Sequence, residues 1–158
     1  MIYVECTADE ALVKVLLPRR QVVHEIKGKP AVVFQVVQVK GRKNCVGMVD
    51  EDPGGVQPAY LVGLFKGTHH YRVLEFDDKN AGNRLVVLRP RLEEWVISAA
   101  KAAGVDVERY SLPNNPSELH EVIGNRLDNF QKMLRALISK NSRYLAALSN
   151  SLKQQRPR

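Results

Sequence analysis

The chain reads as an α/β protein: a Rossmann-like, mainly parallel sheet flanked by helices, with a helical C-terminal extension. Three observations predict this. Short β-prone runs at 2–4, 21–26, 45–49, 71–76 and 85–88 alternate with helix-like stretches, and neighbouring parallel strands need such crossovers. Two of these runs end in acids: Ile2-Tyr3-Val4 in Glu5, and Cys45-Val46-Gly47-Met48-Val49 in Asp50-Glu51-Asp52. Beyond the Pro- and Asn-rich loop 111–116, the apolar spacing is helical throughout.

Taken in order, the first strand runs into a helix for which Thr7 is the expected N-cap, with Glu10 completing a capping box and Pro18 ending it. Gln21–Ile26 reads as a second strand. Pro30 suits the first position of a helix. Residues 31–39 are Val-rich and locally strand-prone, but a crossover is needed there, so a helix is expected, closed by Gly41. The buried strand 45–49 follows, bounded by Asn44 and Pro53-Gly54-Gly55. Tyr60, Leu61, Leu64 and Phe65 suggest a short helix ending at Gly67. Tyr71–Phe76 is a strand, 77–82 a turn, Leu85–Leu88 a buried strand, and Leu92–Ala103 a helix closed by Gly104. Ser117 is the expected cap of one long helix whose apolar positions run from Leu119 through Ile138; a short helix carries Leu145, Leu148 and Leu152. The expected organisation is an α/β domain at 1–110, a helical extension packed on it at 111–153, and a disordered tail at 154–158.

Composition narrows the class. The 158 residues are 44% apolar and 26% charged, as in a soluble globular domain, and no apolar run approaches a membrane span. The N-terminus meets an acid at Glu5 without a basic leader, and two cysteines are too few for a disulfide framework, so a reducing cytoplasm is expected. The net charge of +7 is placed at one end: residues 1–128 hold 17 basic and 17 acidic residues, and no acid follows Asp128. Lys132, Arg135, Lys140 and Arg143 fall between the apolar positions of the C-terminal helices. They are the expected nucleic-acid contacts, DNA or RNA, although a solvated helix face explains the same pattern. The C-terminal helices could equally take a protein partner or a second copy of the chain.

The acids at the strand ends carry the chemistry. On an extended backbone Asp50 and Asp52 point the same way, and two carboxylates at a strand tip repel unless a cation lies between them. A hard cation such as Mg²⁺ (or Mn²⁺) suits oxygen ligands. Asp-Glu-Asp-Pro-Gly is also good turn chemistry, and the motif by itself leaves both readings open. Asp9 falls in the first turn of the first helix, where the helix dipole alone favours an acid. His69-His70 have no Cys or acidic partner at ligand spacing. Asp77-Asp78 reads as a hairpin turn, Trp95 and Cys45 as core. A haloacid-dehalogenase-type use of the Asp pair is disfavoured by Gly54 two residues after Asp52.

A strand ending in Glu5 and, 45 residues later, one ending in Asp50-x-Asp52 resembles the Toprim domain of topoisomerases, bacterial primases and overcoming-lysogenization-defect nucleases. The resemblance covers about residues 1–90. It implies that Glu5, Asp50 and Asp52 are catalytic and hold Mg²⁺ for phosphoryl transfer on nucleic acid. Asp9 is similar to the extra carboxylate of the nuclease branch, which uses a second metal. Cys6 departs from the glycine that commonly follows the Glu. The basic catalytic residue of that branch is left open among Lys66, Lys79, Arg89 and Arg91. The expectation is therefore a metal-dependent nuclease, the alternative a non-catalytic adaptor that binds nucleic acid or protein through its basic helices.

Overall fold

The computed structural model describes residues 1–39, 41–52, 65–78 and 82–153, excepting the side chains of Gln38, residues 65–69 and Asp78. Elements follow in the order β1 (Ile2–Val4), α1 (Thr7–Leu16), β2 (Val22–His24), α2 (Lys29–Val33) running into a π-turn at Phe34–Gln38, β3 (Val46–Asp50), β4 (Phe65–His70), β5 (Val73–Asp78) and β6 (Asn83–Leu88). The helices α3 (Leu92–Ala103), α4 (Pro116–Val122), α5 (Leu127–Ser139) and α6 (Arg143–Leu152) complete the described chain. The strands form one sheet in the order β2-β1-β3-β6-β5-β4; the first four run parallel, and β5 and β4 add antiparallel.

Strand alternation divides the core in two. Ile2, Val4, Val46, Met48, Val86 and Leu88 face the cluster built with α1, α3, α5 and α6. Tyr3, Val49, Leu85 and Val87 face the smaller cluster under α2 and the π-turn. β1 therefore sends α1 over one face to reach β2, and β2 sends α2 over the other to reach β3. The chain reverses its winding between β1 and β3, and in an open α/β sheet ligands sit in the crevice outside the strand ends at such a reversal.

Close approach under α2 requires Gly47: a Cβ there would lie 2.8 Å from Val36 Cγ2 and 2.9 Å from Val32 Cγ1. Gly47→Ala should destabilise the fold by about 1–3 kcal/mol through overpacking, read as a lower midpoint in urea at unchanged slope.

Several expectations need correction. α1 is capped by Cys6, whose sulfur accepts from Asp9 N at 3.4 Å; Thr7 is already helical, and Glu10 pairs with Lys14 instead of closing a capping box. The expected long helix is two, because the weak helix formers Gly124 and Asn125 sit in a 3₁₀ turn at Ile123–Asn125, and Asn115 rather than Ser117 caps the first. Ile138 is exposed rather than core. Phe65–Gly67 belong to a strand, not to a helix end, while 60–64 lie outside the described residues, as do 53–59 and the tail 154–158. The strand expected from Tyr71 begins at Val73. Tyr71 and Arg72, at φ 49° and 59°, form the two-residue turn between β4 and β5. Asp77 pairs with Arg84 inside the sheet instead of making a turn.

The C-terminal helices share the larger core: Phe130, Met133, Leu137, Leu148 and Leu152 join the cluster of β1, α1 and α3. Polar ties add to this. Ser151 of α6 donates to Glu75 on β5 at 2.6 Å, and Arg84 donates to the Ser151 carbonyl at 3.1 Å. No described helix is long and apolar enough to cross a membrane.

Candidate functional site: a buried carboxylate cluster

Glu5 and Asp50 meet at the winding reversal. β1 and β3 are neighbours in parallel register, Val4 against Met48, so both acids emerge at the carboxyl edge of the sheet. Glu5 Oε1 accepts from Asp50 N at 2.7 Å. Asp50 Oδ1 in turn accepts from Leu92 N at 3.0 Å, satisfying an otherwise unpaired amide of the first turn of α3. Asp50 has the same parity as Val46 and Met48, so its side chain leaves the strand on the side of α1 and α3. Asp9 of α1 and Glu93 of α3 are buried there, 1% and 6% exposed. Both helices aim their N-terminal ends at this edge, and their dipoles offset part of the negative charge.

Crowding and burial govern the protonation of these groups. Burial pushes the Asp50 carboxyl up to about 9, with the Asp9 and Glu5 charges adding to it. Asp9 is pushed up to about 8, by burial first and the Glu5 charge second. Glu5 is also raised by burial, against the pull of the Asp50 amide and of Lys29. Burial and then Asp9 lift the Cys6 thiol far above its usual range, which removes it as a thiolate nucleophile. Among the described residues no donor meets either carboxylate oxygen of Asp9 in full hydrogen-bond geometry, although the Cys6 amide and thiol lie near enough to pull its carboxyl down against burial. Such a group needs a proton or a cation.

Asp52 stands differently from expectation. The strand ends at Asp50, and Asp52 adopts a left-handed φ of 47° with its amide donating to the Pro90 carbonyl at 2.9 Å. Strand alternation therefore does not align it with Asp50. It lies at the exposed rim, where its charge still raises Glu5. Glu51 pairs with Arg89, and its carbonyl accepts from Lys29 Nζ at 2.9 Å. Arg91 pairs with Glu94. The Lys66 side chain and Lys79 lie outside the described residues.

Glu93 and His120 are the members that local pattern did not find. Glu93 reads in sequence as a dipole-favoured acid at a helix start; only the neighbouring of β3 and β6 brings that start beside Asp50. His120 Nδ1 lies 2.8 Å from Glu93 Oε1, across 27 residues, so α4 reaches the rim of the cluster, and no local signal announces it.

A hard divalent cation fits this donor set in chemistry: oxygen donors, excess negative charge and an unsatisfied buried carboxylate. As the side chains stand, no three His, Cys, Asp or Glu groups among the described residues close around a single point. Holding an ion would need side-chain rotations. Lys132, Arg135, Lys140 and Arg143, well separated in sequence from these acids, are all solvent-exposed.

No protein family, curated protein or solved structure matches this chain.

Proposed function

We propose that the chain is a Toprim-like phosphoryl-transfer domain that acts on nucleic acid as a Mg²⁺- or Mn²⁺-dependent nuclease. The observation that carries this reading is the contact of Glu5 with Asp50 at the winding reversal of a parallel sheet, with the buried Asp9 near enough for its charge to act on both. Glu5, Asp9 and Asp50, with Asp52 at the rim, would hold the cation. When bound, it would activate water and stabilise the leaving oxygen. The chain's own residues preorganise the site. The Asp50 amide orients Glu5, the α3 amide orients Asp50, and the N-terminal ends of α1 and α3 favour the negative charge of a phosphodiester. Lys29 lies at the same edge, donating to the Glu51 carbonyl, and its charge favours the approach of an anion.

The test is incubation of labelled single- and double-stranded DNA and RNA with the full chain, with Mg²⁺, Mn²⁺ or chelator. Cleavage that requires the cation and is lost in Glu5→Gln supports the enzyme.

A second reading, a non-catalytic adaptor, has its own observation: Glu5 and Asp50 are each already engaged in holding backbone, as structural carboxylates are. Nucleic-acid binding without cleavage under any cation would favour it. The adaptor could bind nucleic acid or a protein partner through its basic helices; where nucleic acid is the ligand, the exposed Lys132, Arg135, Lys140 and Arg143 would contact phosphate. Binding should weaken with salt by a log–log slope of about 3–4 if all four engage, and changing all four to Gln should flatten the slope with little effect on the melting temperature.

A further inference from the structure

We infer that the turn between β4 and β5 is a base-stacking platform for single-stranded nucleic acid, with Tyr71 as the stacking residue and Lys140 and Arg143 as its phosphate contacts. The inference rests on the proposed nucleic-acid reading for its ligand and adds strandedness and a contact residue to it.

Tyr71 is 41% exposed, yet it is held from two sides. Its ring packs on Tyr144 of α6 at 5.3 Å between centroids, and Tyr144 meets Trp95 edge-on at 6.0 Å. Its carbonyl accepts from Trp95 Nε1 at 2.9 Å. A two-residue turn of positive φ is ordinarily built from Asn and Gly; here it carries an aromatic and a cation, Tyr71 and Arg72. Tyr71 and Arg143 line two concavities. One, of about 470 Å³, is bounded also by His70, Asn150 and the paired Glu75 and Arg84. The other, of about 180 Å³, is bounded also by Lys140, Asn141 and Ala103. Among the described residues no acid pairs with Lys140 or Arg143. A fixed aromatic face between two hollows, bordered by unpaired cations, suits unstacked bases with their phosphates outside; the bases of a duplex are already stacked on each other.

Placement ties the platform to the carboxylates. Val73 pairs with Leu88, and Arg89 N donates to the Arg72 carbonyl at 2.9 Å, so the turn lies at the same sheet edge as Asp50. In the strand order only β6 separates β3 from β5, a span of roughly 10 Å. Arg89, which follows β6 and pairs with Glu51, lies between. A strand crossing that edge passes from the acids over Arg89 to Tyr71.

The test measures binding by fluorescence anisotropy in metal-free buffer at low salt, with labelled oligo-dT, oligo-U and a duplex of equal length. Variants are Tyr71→Asn, which tolerates the left-handed backbone, Tyr71→Phe, which keeps the ring, and Lys140→Gln/Arg143→Gln; melting temperatures check that each is folded. Single strands should bind at least tenfold tighter than duplex. Tyr71→Asn should lose about tenfold for single strands and little for duplex, Tyr71→Phe should stay within a few-fold of wild type, and the double Gln variant should bind both more weakly. Equal affinity for duplex and single strand, or full single-strand affinity in Tyr71→Asn, overturns the platform while leaving the nucleic-acid reading standing. Absence of binding to every oligonucleotide overturns both.

Discussion

Asp50→Asn should lower cation-dependent cleavage by roughly 10²–10³-fold while leaving the protein as stable as before or more so. The two halves of that result have different causes. Asn keeps an oxygen for Leu92 N, so α3 retains its cap, and the Asp50 amide still holds Glu5. What is removed is a carboxyl that must keep a proton to be buried beside Asp9 and Glu5, whereas the unfolded chain releases it, so Asn lifts that cost at neutral pH. A cation site deprived of one carboxylate forfeits several kcal/mol of transition-state stabilisation, and each 1.4 kcal/mol is about a factor of ten. The measurements are single-turnover rate constants in Mg²⁺ and Mn²⁺ beside thermal melts. Unchanged cleavage in Asp50→Asn would remove this residue from the chemistry. A fall in melting temperature matching the fall in rate would make it a structural cap only.

Stability of the metal-free protein should fall as pH rises from about 4 to 9, against the usual behaviour of paired carboxylates. Asp9 and Asp50 move from an ordinary 3.8 up to about 8 and about 9 on folding. In that window the folded state keeps protons that the unfolded chain has released, so each added pH unit favours unfolding. Their contribution is fully present below about pH 4 and is lost as pH passes the folded values. The slope is about 1.4 kcal/mol per pH unit for each proton retained, and the two groups titrate as a pair. One proton retained over three pH units amounts to about 4 kcal/mol, or on the order of 10 °C for a chain of this size, and the melting temperature should drop by at least that between pH 5 and 9 through these groups. Comparison with Asp9→Asn/Asp50→Asn isolates them, since the double variant should show a much flatter profile. Millimolar Mg²⁺ or Mn²⁺ should recover the lost degrees at pH 8–9 and do little at pH 5, where protons occupy the same oxygens. Parallel profiles for wild type and double variant would show that the cluster is not protonated as described.

The alternation of β-prone runs with helical stretches was legible because each element carries its own periodicity and its own stop. Gly104 closes α3 in the left-handed conformation that a glycine C-terminal cap allows, and the Val-rich stretch after Pro30 is helical as the crossover demanded, against its local preference. Acids following short apolar runs marked Glu5 and Asp50 as strand-end residues before any pairing was known. Other features could not be read this way. The apolar spacing from Leu119 to Ile138 continues unbroken through the 3₁₀ turn at Gly124, so a helical stripe conceals the break between two helices. Cys6 is not a residue type that signals a cap.

Most elements, the place of the net positive charge and the strand-end positions of Glu5 and Asp50 were readable from local pattern, whereas β4 and the break at Gly124 were not. Tertiary structure alone decided that β1 and β3 are neighbours with winding reversed between them, which makes two acids 45 residues apart adjacent. It also brought in Glu93 and His120, and buried Asp9, which local pattern explains by the helix dipole alone. The physical reason is range. Periodicity, caps and turns act over a few residues and are written locally. Strand order, burial and the mutual repulsion of carboxylates depend on which distant segments share an edge, and that is settled only when the two faces of the sheet are packed.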